Sequence, residues 1–343
     1  MSKTNAFMLP RNRKDRKSKL NKQKAITVKR TSYIIILCMI SSFLLTSCGK
    51  QNESIFLKLS TDIQGGYDLQ ELDLTELGIE APGGICIYNE SIYVCDLSNN
   101  CVVKLGKDFV KEDSFGTLGM EEGNFSEPRD ITFSDGCFYV LDSKNNRVQK
   151  FTSDFQYLEM YYLHPLYAQQ GLGRYVSIAV DAEGIVYVSA ISSNVMDAYV
   201  FAYKNGEWEK IGEEVVGYLC AGEKSMYFAN IFEFEMKEKT MAIQSGENIL
   251  YEVAESKLAP IAQIDDKYAP AALCYWGDHI YMVSIGKGAV NRFSRQDEAF
   301  ETLFVLPSTE LYMYMDIDAA GNIYISDSEN RRLYFAEISA KIP

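Results

Sequence analysis

The chain has 343 residues, 47% of them hydrophobic, enough for a substantial core at the upper end of what one domain holds. It carries 34 Lys and Arg against 47 Asp and Glu, and eleven of the basic residues fall within residues 3–30 beside a single Asp15. Without its first 47 residues the balance is 23 against 46, about −23, which argues against nucleic acid and anionic lipid surfaces as partners.

The basic stretch runs into a short apolar one, Tyr33–Leu45. A charged segment, a short apolar segment and a small-residue boundary form an export signal, and the apolar run falls short of the roughly 20 residues a membrane-spanning helix needs. Leu45-Thr46-Ser47-Cys48 resembles the lipobox of bacterial lipoproteins, and LLTSCGK is similar in flavour to lipoproteins of Bacteroidota. That resemblance implies acylation of the Cys48 thiol and a mature chain beginning there. Two or more acyl chains on one residue suffice for stable anchoring. The other reading is an ordinary signal peptide with a cysteine there by chance. The expected organisation is a leader over 1–47, a tether over 48–54 and a folded domain over 55–343.

The folded domain is a series of repeats. Six units begin near Gly83, Arg129, Val176, Gly217, Ala271 and Tyr314. Self-similarity at this period points to a propeller or a solenoid. Each unit opens with a short apolar strand and a turn rich in Gly, Asp and Asn, such as Ser134-Asp135-Gly136, where tight hairpins demand positive φ. A second strand of aromatic and β-branched residues follows, as in Phe138–Leu141. A D-x-x-N turn comes next, and its Asp96, Asp142 and Asp327 can accept turn amides, with Asn99, Asn145 and Asn330 three residues on. The fourth unit keeps the hairpin but lengthens its second turn into a long loop over 231–246. The last unit stops after its third strand. Ile55–Ser60 reads as a strand and is expected to supply the missing one, closing the ring and removing an open edge.

Gly116, Gly119, Gly123, Phe125, Pro128, Tyr139, Val140, Asp142, Asn145, Arg147 and Val148 resemble the NHL repeat nearly position for position. The likeness is strong in unit two, fair in one and six, and weak in three to five. The Gly-His and Trp-Asp pairs of WD repeats are missing. The resemblance implies an all-β fold of the TolB-like kind: a six-bladed β-propeller of four-stranded antiparallel blades, closed by an N-terminal strand. It also implies a binding face that gathers the lead-in loops and the D-x-x-N turns.

On that face the alignment puts Arg129, Asp130, Tyr175, Tyr218, Met313 and Tyr314 around the channel mouth. They form either a rim for a small ligand or loop residues with no ligand. Cys86, Thr132, Ala179, Cys220, Cys274 and Asp316 occupy one row on the innermost strands. Five are small, as crowding near the axis requires, and a carboxylate at Asp316 must be paired, hydrated or bound to an ion. Cys95 and Cys101 flank a turn and are candidates for a disulfide in an exported protein.

Enzyme readings lack parts. There are two histidines, His164 and His279, too few for the zinc sites of NHL-like lyases, and no G-x-S-x-G elbow. Calcium-dependent lactonase-type propellers need only carboxylates and amides, so Asp130 and Asp316 keep Ca²⁺ open as a cofactor. The primary expectation is a monomeric, lipid-anchored envelope protein that binds a protein, peptide or glycan on its loop face, without cofactor. The alternative is a calcium-dependent hydrolase or lyase acting in the channel.

Overall fold

The computed structural model describes Tyr67–Ile338, apart from residues 164–165, 167–171, 193–197, 214, 238–239, 245–247, 255–256, 265–269 and 311. Its strands form six antiparallel sheets, one for each repeat, arranged as a six-bladed propeller. Blade two is the simplest: Pro128–Ser134 lies innermost, followed outward by Cys137–Asp142, Arg147–Thr152 and Tyr157–Tyr162. The innermost strands of the other blades are Pro82–Tyr88, Leu172–Val180, Val215–Ala221, Pro270–Trp276 and Met313–Ile317, for blades one, three, four, five and six.

The first hairpin turns fold as their residues dictate. Asn89-Glu90, Asp135-Gly136 and Gly277-Asp278 all take positive φ at both central positions, the twist that a two-residue hairpin needs. Blades three and six instead use longer turns closed by an aspartate. Asp181 Oδ1 accepts from the amides of Glu183 and Ile185, and Asp318 Oδ1 from those of Ala320 and Asn322.

Ring closure follows the expected plan with a different segment. Tyr67–Asp73 pairs antiparallel with Arg332–Ile338 as the outer strand of blade six, whereas Ile55–Ser60 lies outside the described residues. Asp73 also caps the short helix Leu74–Leu77 that follows, accepting from the Thr75 amide and hydroxyl. Blade four also departs from expectation. Its long insertion is largely a hairpin, in which Met226–Lys237 pairs with Thr240–Gln244. The alternation Phe232, Phe234, Met236 supplies the strand period there.

The core lies in the seams between blades. One cluster joins Tyr93 and Cys95 of blade one to Phe138, Phe151 and Phe155 of blade two. Others join blades two and three, three and four, and five and six. Cys95 lies opposite Val102 and Cys101 opposite Asp96, so the two thiols occupy opposite faces of blade one, and both are free.

Candidate functional site

The six innermost strands enclose an axial cavity of about 230 Å³. The row expected from sequence is in register around it. Cys86, Thr132, Ala179, Cys220, Cys274 and Asp316 pair across their first hairpins with Tyr93, Tyr139, Tyr187, Tyr227, Tyr281 and Tyr324. All six members of the row line the cavity. Burial pushes the thiols of Cys86, Cys220 and Cys274 upward, so they stay protonated and behave as packing groups.

Asp130 and Asp316 perform one job in two seams. Asp316 Oδ2 accepts from the Ile87 amide of blade one at 2.7 Å, and Oδ1 from the adjacent Ile317 amide at 2.8 Å. Asp130 Oδ2 accepts from the Ile178 amide of blade three at 2.9 Å, and Oδ1 from Ile131 at 2.9 Å. Ser177 continues the pattern, its hydroxyl accepting from the Leu219 amide of blade four. Each side chain satisfies an amide on the inner edge of the next blade, an edge with no further strand to pair with. Desolvation raises both carboxyls against the pull of these amides, Asp130 to about 7 and Asp316 to about 6.

Gly84 makes room for Asp130. A Cβ there would come within 2.3 Å of Asp130 Oδ1 and 2.5 Å of its Cα.

The mouth is built by side chains that cross between blades. Arg129 falls at a bulge, unpaired between Pro128 opposite Asp142 and Asp130 opposite Leu141. Bulges re-aim side chains, and the Arg129 guanidinium reaches blade six. There it lies 5.9 Å from the centroid of the Tyr312 ring and beside Tyr314, whose phenol feels its charge. Its Nε is shielded from water and has no hydrogen-bond partner. Arg174, exposed at the start of blade three, lies 5.7 Å from the same ring and donates to the Tyr312 hydroxyl. The rings of Tyr218 and Tyr314 meet edge to face, with centroids 6.0 Å apart.

Of the residues expected at this site, Asp130, Tyr218, Tyr314 and Asp316 line the cavity, and Arg129 stands outside that lining, against Tyr312 and beside Tyr314. Tyr175 is placed elsewhere. It is buried in the seam between blades two and three, where its hydroxyl donates to Asn146 Oδ1. Met313 is fully buried between blades five and six. Arg174 and Tyr312 were not singled out from sequence. Both sit in lead-ins, and the signal for them was their charge and aromaticity within segments already assigned to the binding face.

The D-x-x-N turns are structural. Asp142 accepts from the Ser126 amide, Asn145 Nδ2 and Arg147 Nε, and Arg147 in turn donates to the carbonyls of Met120, Glu121 and Asn124. The signature residues of blade two thus fasten its lead-in to its hairpin. His279 Nδ1 contacts the Gly277 carbonyl in the adjacent turn, and His164 lies outside the described residues.

Calcium does not fit the donors present. Among the described residues no three His, Cys, Asp or Glu side chains come together as a metal site. Both oxygens of Asp130 and of Asp316 already accept from amides.

Comparison with known proteins agrees with this architecture. The NHL repeat profile matches residues 125–151, the heart of blade two. A search of curated proteins gives no match. Among solved structures, virginiamycin B lyase from Staphylococcus aureus superposes with a TM-score of 0.51 at 12% identity, covering 79% of this chain and 99% of the lyase. A calcium-binding protein, regucalcin, from Agrobacterium tumefaciens gives 0.54 at 12%, over 75% and 90%. A structural-genomics protein from Bacteroides thetaiotaomicron gives 0.54 at 14%, over 78% and 72%. At these identities the likeness is one of fold, and propellers host unrelated functions.

Proposed function

We propose that this chain is an exported, lipid-anchored binding protein that holds a ligand at the mouth of its propeller channel and leaves it chemically unchanged. The observation that carries the reading is the division of labour along the axis. At the mouth, Arg129, Arg174, Tyr218, Tyr312 and Tyr314 come together from four blades. Below them, the carboxylates a hydrolase would use are held by backbone amides, and the thiols are protonated. Aromatic rings and a few converging polar groups are the usual make-up of a small-ligand pocket. Virginiamycin B lyase and the calcium-binding regucalcin share this fold, but among the described residues the channel gathers no set of donors for a metal.

A thermal-shift screen of the full chain against peptides, glycans and organic acids, repeated with Tyr314→Ala, tests the binding. Ligands that stabilise the wild type and not the variant are expected, since a ligand of the native state raises apparent stability by mass action. Turnover of a lactone or ester panel, lost in Asp316→Asn, would overturn the reading. The anchor rests on the sequence around Cys48. Cys48→Ser is expected to abolish lipid labelling, and labelling equal to the wild type would refute that part.

A further inference from the structure

The chemical class of the ligand can be read from the ion pairing of the arginines, an inference that rests on the binding reading above. Seven arginines fall among the described residues. Five are neutralised: Arg147 by Asp142, Arg292 by Glu301, Arg295 by Glu252, Arg331 by Glu80, and Arg332 by Glu71 and Asp73. Arg129 and Arg174 are the two that form no ion pair among the described residues, and both lie against Tyr312.

A chain with twice as many acids as bases outside its leader has carboxylates to spare, yet among the described residues none forms an ion pair with either arginine, and Glu127 and Asp130 act on Arg129 only through their charge. The side chains that these guanidiniums meet are neutral phenols, Tyr312 and Tyr314 beside Arg129 and the Tyr312 hydroxyl that accepts from Arg174. Arg129 Nε has no acceptor at all, and a buried donor in that state calls for a partner. A hydrogen bond from a guanidinium to a carboxylate is roughly twice as strong as one to a neutral group, and the planar guanidinium fork matches a carboxylate in shape.

We infer that the mouth is a site for an organic dicarboxylate. One carboxylate sits on Arg129 in the half-buried throat, taking over from the Tyr314 phenol and meeting the Nε donor. The second sits on Arg174 at the exposed rim in place of the Tyr312 hydroxyl. The rings of Tyr218, Tyr312 and Tyr314 pack against the carbon chain between them.

The test is thermal unfolding of the full chain at constant ionic strength with succinate, inorganic phosphate or succinamide. A probe at ten times its Kd raises the folded-to-unfolded ratio about elevenfold. Succinate is expected to raise Tm in a dose-dependent way and succinamide to leave it unchanged. Arg129→Gln and Arg174→Gln are each expected to lose the succinate effect. Arg174 is exposed, so its variant folds like the wild type and keeps the test valid if Arg129→Gln does not. A response to phosphate alone overturns the carboxylate assignment. Equal responses to succinate and succinamide overturn the anionic class while the mouth stands as a binding site, and a succinate response undiminished in Arg174→Gln overturns the dicarboxylate assignment. No response to any of the three probes overturns the anionic class, and the broader screen with Tyr314→Ala then judges the binding reading separately.

Discussion

Blades six, one and two hold their lead-ins differently from blades three, four and five. Three residues after the second-strand tyrosine the first group carries Asp327, Asp96 and Asp142, and the second carries Ala190, Asn230 and Ser284. Asp96 accepts from the amides of Glu80 and Ala81 in its lead-in and of Ser98 and Asn99 in its turn. Asp327 binds Glu329, Asn330 and Ser308 in the same way. Ser284 has one bond of this kind, from the Lys287 amide. The residues that make the repeat recognisable are therefore fasteners. The residues fit to meet a ligand stand where the repeat prescribes nothing: Arg129 on a bulge, Arg174 and Tyr312 in lead-ins.

The largest effect should come from cutting a fastener. Asp142→Ala strands the buried Arg147 guanidinium and frees the Ser126 amide, and breaking a buried pair costs about 3–5 kcal/mol. Ser284→Ala, at the same position in blade five, removes one hydrogen bond worth about 1 kcal/mol. Denaturant unfolding of both variants checks the contrast, and equal losses would erase the distinction between the two halves of the ring.

Next in size is the pH dependence carried by the seam carboxylates. Asp130 titrates at about 7 in the folded state, against 3.8 ordinarily. Between those values the folded chain keeps a proton that the unfolded chain has released. Its contribution therefore favours the folded state most below pH 4, declines as pH rises towards 7 and is flat above. Across that window the loss is on the order of a few kcal/mol. Asp316 acts in the same direction with its upper limit near pH 6. Subtracting the stability of Asp130→Asn from that of the wild type, measured between pH 4.5 and 8, should isolate this slope. A difference independent of pH would show that the carboxylate is ionised throughout.

Gly84→Ala probes the same seam sterically. The new Cβ meets the Asp130 carboxylate and backbone, and overpacking of this kind typically costs about 1–3 kcal/mol. Since Asp130 must move to relieve the clash, the variant should also show a weakened pH slope in the same measurement.

The fold was legible because the repeat writes its phase twice, in the hairpin turns and in the row of small residues that falls opposite six tyrosines. The closing strand was not. Tyr67–Asp73, YDLQELD, is an outer strand with much of its surface in water, so it carries charge where an inner strand carries apolar residues. Glu71 and Asp73 pair with Arg332 across the sheet, and that pairing is invisible until the strands are side by side. Ile55–Ser60, a strand-like run before the first repeat, lies outside the described residues. Around the cavity, Asp130, Tyr218, Tyr314 and Asp316 followed from alignment, since register fixes them. Tyr175 did not: it stands one residue before the bulged position, level with Pro128 of blade two, and is buried in the seam. Tyr312 escaped because its role depends on two arginines arriving from blades two and three.

The smallest effect should come from Tyr312→Phe, which keeps the ring near both guanidiniums and removes only the hydroxyl that Arg174 binds. A hydrogen bond in a partly exposed setting contributes about 1 kcal/mol or less, so the variant should unfold within that range of the wild type. Its value lies in contrast with Asp142→Ala. If fasteners hold the fold and the residues around the mouth are reserved for a ligand, removing a fastener must be expensive and removing this hydroxyl nearly neutral. A Tyr312→Phe variant as unstable as Gly84→Ala would mean that the arginine–tyrosine cluster closes the ring itself, and the two halves of the propeller would then differ only in which residues lock them.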